Sequence, residues 1–152
     1  MTLKKGLTYD EFNLGDRFVS QARTVTEADV VAFAAISGDY NPLHTDAEFA
    51  KLTPFGARIA HGMLVASMGT GFGNQMGVLE GTSLALIEQV IRYKGPVHFG
   101  DTVHLELVVN EKKETSKPDR GVILFDALVV NQRDETVVEM QWTLLMKRDP
   151  VT

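Results

Sequence analysis

The stretch Ser37-Gly38-Asp39-Tyr40-Asn41-Pro42-Leu43-His44-Thr45-Asp46 places a carboxylate and an imidazole five residues apart. Asp and His are side chains suited to moving protons near neutral pH, and a stiff loop carrying both can hold one water between them. Pro42 supplies the stiffness and keeps Asn41 out of helical geometry. A plainer reading uses the same residues: Asp39 closes an Asx turn and His44 sits on the surface ahead of a helix cap. A third reading gathers His44, Asp46 and His61 around a metal, a permissible set by residue type. Its spacing is poor, because His44 and Asp46 fall across a helix cap and His61 opens another helix, so no metal centre is expected. His61 is expected to be structural, and His98 and His104 are expected to be exposed.

Composition narrows what this pair could serve. The 152 residues are 44% hydrophobic and 23% charged, as in an ordinary globular domain, and nothing divides them, so residues 1–152 are read as one domain. A formal charge of −5 argues against nucleic acid or an anionic membrane as the main partner. With no cysteine, disulfides, thiolate nucleophiles and zinc–thiolate sites are excluded. The opening MTLKKGLTYDEF has no apolar leader-like run and no later run approaches a membrane span, so a cytoplasmic protein is expected.

The loop needs elements to hold it. Thr26 and Asp29 form a capping box that starts a helix, with Ala28, Val31, Ala34 and Ala35 on one face and Gly38 as its left-handed cap. Thr45 and Glu48 predict a second box, for a short helix that ends before Pro54. A third helix runs from about His61 to Gly73. Gly62, Ala66, Gly69 and Gly73 form a stripe with almost no side chain, which predicts close approach of another backbone. Met63, Leu64, Val65, Met68 and Phe72 cover the rest, so burial nearly all round is expected. Strands are predicted near 17–24 and over 84–94, 102–110, 121–130 and 136–147; the strand at 84–94, apolar on both faces, reads as central. About five strands of roughly 10 residues (about 33 Å) with short turns make an antiparallel sheet. A sheet of this length can wrap one buried helix, an α+β arrangement of hot-dog type, although periodicity alone leaves other α+β sandwiches open.

SGDYNPLHTD followed by GARIAHGML resembles the MaoC-like family of R-specific enoyl-CoA hydratases, which have the hot-dog fold. TVTEADVVAFAAISGD is similar to the family's first helix, KGPVHFGDTV to its turn into the next strand, and YDEFNLGDRF to its opening, so the similarity spans essentially the whole chain. The resemblance implies that Asp39 and His44 activate water, that Asn41 orients them, and that the Gly62 N–H polarises the thioester carbonyl. It also implies that Ser67 lies near the acyl group and that no cofactor is needed. Met63 and Met68 are candidates to line an acyl pocket; Arg92 and Lys94 are candidates for CoA phosphates, or simply surface charge. The substrate implied is an acyl-CoA or acyl-carrier-protein thioester, and the assembly a homodimer or a multiple of dimers. A hot-dog thioesterase and a non-catalytic acyl-CoA-binding protein remain open.

Overall fold

The computed structural model describes residues 6–149; the opening MTLKK and residues 150–152 lie outside the described residues. Four long strands dominate: β3 (Ser83–Tyr93), β4 (Thr102–Glu114), β5 (Arg120–Asn131) and β6 (Thr136–Lys147). Two short ones, β1 (Arg17–Val19) and β2 (Arg23–Thr24), replace the single strand expected at 17–24, and both pair with β4. The sheet is antiparallel and its order is β1-β4-β5-β6-β3.

Alternation decides which face is wet. Val103, Leu105, Leu107 and Val109 on β4, and Val138, Met140, Trp142, Leu144 and Met146 on β6, are all buried, as their period of two predicts. They pack on α4 (Gly62–Gln75), which the sheet wraps. The stripe on α4 has a different cause from the one expected. A Cβ at Gly69 would lie 2.9 Å from Met140 Cε and 3.1 Å from Val129 Cγ2, and one at Gly73 would lie 3.0 Å from the Trp142 ring. Side chains from the sheet, not another backbone, occupy the room that the glycines leave.

Other expectations are corrected. α4 is not buried all round: Met63, Ser67, Thr70 and Gly71 form an exposed strip. β3 is an edge strand rather than a central one, with Leu84, Leu86 and Ile87 exposed. On α1 (Glu27–Ser37) the buried residues are Val30 and Ala34, with Phe33 half-buried, while Ala28, Val31 and Ala35 face out. The capping box and the Gly38 cap (φ 74°) are as expected.

Thr45 is not a cap. It ends α2 (Pro42–Thr45), and its hydroxyl donates back to the Tyr40 and Asn41 carbonyls. Asp46 caps α3 (Ala47–Lys51), accepting from the Glu48 and Phe49 amides at 3.0 Å each. A carboxylate serves as well as a hydroxyl there and adds charge at the helix start.

Candidate active site

Three segments converge at the N-terminus of α4. The first is the loop from Gly38 to Asn41, closed by an Asx turn in which Asp39 Oδ1 accepts the Asn41 amide at 3.1 Å. Asn41 in turn caps α2, its Oδ1 accepting the Leu43 amide at 3.0 Å. The second is Ile59-Ala60, held between α2 and the turn before β4: Ile59 N donates to Leu43 O, and Ala60 N to Val97 O at 2.8 Å. The third is that turn itself, 95–101.

Asp101 anchors the turn, accepting from Gln132 Nε2 at 2.7 Å, the His98 amide at 2.9 Å and Arg133 Nη1 at 3.2 Å. Burial pushes the Asp101 carboxyl up, but these hydrogen bonds and the Arg133 charge together outweigh it and hold the group below its ordinary value. His98 and His104 are half-buried rather than exposed, accounted for by contacts to Phe55 O and Glu106.

The convergence leaves a cavity of about 530 Å³. Leu43, Phe55, Ile59, Val65, Val97 and Val138 give it apolar walls; Asp39, His44, His61, Gly62, Met63, Tyr93 and Lys94 also line it. A second cleft of about 560 Å³, between β1 and the far end of α4, has no carboxylate or imidazole among the described residues that line it.

His44 is buried, only 9% exposed, which removes the surface reading. Its Nδ1 lies 2.7 Å from Ile59 O. A carbonyl only accepts, so Nδ1 carries the proton and Nε2 of the neutral ring is a bare acceptor. His61, 2% exposed, stacks on it with centroids 3.8 Å apart and planes 26° apart. His61 Nε2 donates to the backbone carbonyl of Asp39 at 2.9 Å, while its Nδ1 is buried without a partner among the described residues. An unmade buried hydrogen bond costs about 1–3 kcal/mol.

One carboxylate oxygen of Asp39 and one nitrogen from each imidazole lie within 4.8 Å of one another, close enough to share a water. Asp39, His44 and His61 would be a metal set by type, with Asp46 absent because it caps α3. The stack argues against it. An imidazole binds metal in its own plane at about 2.0–2.1 Å. Rings stacked with centroids 3.8 Å apart and planes inclined by only 26° cannot both point a nitrogen in-plane at one ion at that distance.

His61 caps α4 in position only, making no side-chain cap bond, so the first-turn N–H groups around Gly62 and Met63 are unmet at the cavity wall. There the helix dipole is positive. The Tyr93 ring lies across Gly62, where a Cβ would be 2.6 Å from its Cε1.

The remaining expected residues scatter. Asn41 touches the pair through its backbone amide, not its side chain. Ser67 Oγ donates to Met63 O at 2.7 Å on the exposed strip, and Ser67 does not line the cavity. Lys94 lines the cavity, 4.0 Å from Glu139. Arg92 does not; it faces Glu139 at 3.6 Å on the outer surface. Sequence reasoning weighs His61 only as a metal ligand or a structural residue, and passes over Tyr93. The signal for His61 was its place directly before Gly62; Tyr93 left none, because its contact depends on β3 crossing the helix start.

The MaoC like domain family matches residues 12–129. The chain belongs to that family. This MaoC-like chain is 44% identical over 87 residues to an (R)-specific enoyl-CoA hydratase of Aeromonas caviae, covering 57% of the chain and 63% of the relative. It is 39% identical over 90 residues to a 3-hydroxybutyryl-CoA dehydratase of Methylorubrum extorquens, covering 59% and 55%. The MaoC-like chain thus spans between 55% and 63% of the length of these curated relatives. Among solved structures it is similar to a monoamine oxidase regulatory protein from Archaeoglobus fulgius, with TM-score 0.90, 34% identity and coverage of 99% and 100%. A Mycobacterium tuberculosis protein described as a double hot-dog fold matches at TM-score 0.80 and 17% identity over 97% of the chain and 46% of that protein, a likeness of fold alone.

Proposed function

We propose that the protein is a hydro-lyase that adds water to a trans-2-enoyl thioester to give the (R)-3-hydroxyacyl thioester, or removes it in reverse. The observation that carries this reading is the meeting of the Asp39 carboxylate and a ring nitrogen of His44 at one cavity wall, beside the unmet amides at the start of α4. The R outcome rests on the family resemblance and on the name of the Aeromonas relative.

Hydration needs three things: water at C3, a proton for C2, and a donor for the enolate-like oxygen that forms between. Asp39 and His44 hold the water. The pair takes one proton from the water as its oxygen bonds to C3 and delivers one proton to C2, so it ends in its starting state. The Gly62 N–H faces the carbonyl oxygen as negative charge builds on it, and such a donor contributes on the order of 10²–10³ in rate. None of these steps calls on a metal or an organic cofactor. The apolar wall from Phe55 to Val138 takes the acyl group.

The edge of β3, unpaired among the described residues, and its exposed Leu84, Leu86 and Ile87 fit a homodimer, or a multiple of dimers, joined edge to edge. Light scattering giving a monomer at micromolar concentration would reject that assembly.

Crotonyl-CoA separates this reading from its rivals. Loss of the enoyl-thioester absorbance without free thiol supports hydration. Thiol release indicates a thioesterase. Saturable binding without turnover indicates a non-catalytic acyl-CoA-binding protein, and either of the last two outcomes rejects the proposal.

A further inference from the structure

His61 makes more of the site than space-filling requires. Its Nε2 holds the Asp39 carbonyl at 2.9 Å, and its ring stacks on His44 at 3.8 Å and meets Phe33 of α1 at 5.0 Å. A phenylalanine would fill the same volume without burying the bare Nδ1. Buried orphan atoms of this kind call for a specific explanation, and a functional role is among the usual ones.

We infer that His61 is a positioning residue for the hydration proposed above, locking the acid–base pair through a hydrogen bond to one member and a ring stack with the other. The two links do different work. The bond from His44 Nδ1 to Ile59 O fixes one point of the His44 ring but leaves rotation about that contact; a second ring at 3.8 Å removes it and so aims Nε2. The bond to Asp39 O pins the backbone of the residue whose carboxylate must face the same water. Because Phe33 backs His61, α1 supports both links from behind. A misplacement of about 1 Å in such a pair can cost 10²-fold in rate.

The inference rests on the hydratase reading and is tested so that the two can fail separately. Wild type, His61→Gln, His61→Phe and His61→Ala are compared for kcat and KM on crotonyl-CoA, and for amide hydrogen exchange over residues 39–44. His61→Ala is expected to lose about 100-fold in kcat with KM within about threefold. Its loop amides should exchange faster. His61→Gln, which keeps a donor near the Nε2 position, should recover at least tenfold of that kcat and the slow exchange. His61→Phe, which keeps only the stack, should fall between and exchange fast. Near-wild-type kcat in His61→Ala overturns the inference, as does equal impairment of the Gln and Ala variants. If Ala does not fold, equal kcat in Gln and Phe overturns it. If wild type does not hydrate crotonyl-CoA, the hydratase reading fails, and unchanged exchange in the Ala or Phe variant still rejects the hold of His61 on the loop.

Discussion

Substituting Gly62 by Ala tests the proposed carbonyl donor most sharply, because it leaves the N–H in place and alters only the approach to it. The new Cβ would stand 2.6 and 2.7 Å from two Tyr93 ring carbons, against an ordinary contact of 3.4–4 Å. Something must therefore move by about 1 Å. Tyr93 is 53% exposed, so its ring can swing aside at little cost to the fold. The helix itself gains, since Ala is preferred over Gly by up to about 1 kcal/mol. A thermal midpoint within about 3 °C of wild type is expected. The carbonyl fares worse. Methyl and displaced ring both enter the space where it must lie, and a hydrogen bond of about 2.9 Å stretched by about 1 Å is no longer one. Loss of one such donor costs about 2.7–4 kcal/mol in the transition state, so kcat/KM on crotonyl-CoA should fall about 10²–10³-fold. Tyr93→Leu in the same background relieves the clash but leaves the methyl, and activity should stay low. A Gly62→Ala enzyme with more than a third of wild-type kcat/KM would refute the placement of the carbonyl at this amide.

Asp39→Asn should lower kcat by about 10²–10⁴-fold with an unchanged midpoint, since Asp39 is exposed; His44→Ala should lose both activity and stability, since its ring is buried and stacked. Activity close to wild type in either one would remove it from the water-activating pair. Asn41→Ala should cost about 1 kcal/mol in urea unfolding through the lost α2 cap, with kcat in the folded enzyme reduced less than tenfold; a 10³-fold loss would show the side chain orienting the pair directly. Asp101 has a depressed carboxyl in the folded state, so its contribution is complete above the ordinary carboxylate value and is lost as pH falls through the folded one. Asp101→Asn should therefore be less stable than wild type at pH 7, with the gap closing below about pH 4; a gap independent of pH would refute the charge argument. Gly69→Val, driven into Met140 and Val129, should destabilise by about 2–3 kcal/mol, and a raised midpoint would contradict the packing.

What was legible in the sequence was what local physics controls. The capping box at Thr26 and Asp29, the left-handed Gly38 and the alternation along β4 and β6 follow from bonds or periods within a few residues, and each is as expected. The DxNPxH spacing belongs with them, because Pro42, the Asx turn at Asp39 and the Asn41 cap hold that loop through local bonds. Tertiary structure decided what depends on who the neighbours are. The apolar run of β3 reads alike for a central strand and for an edge, and only the order of pairing distinguishes them. The glycine stripe announced a close approach without naming Met140, Val129 and Trp142 as what approaches. His61 could not be joined to Asp39 and His44 from spacing, since a chain separation of 22 residues closes only when the Ile59-Ala60 segment docks on both the loop and the turn before β4. Local sequence sets dihedral angles and caps; the meeting of distant side chains waits for the sheet to curl around its helix.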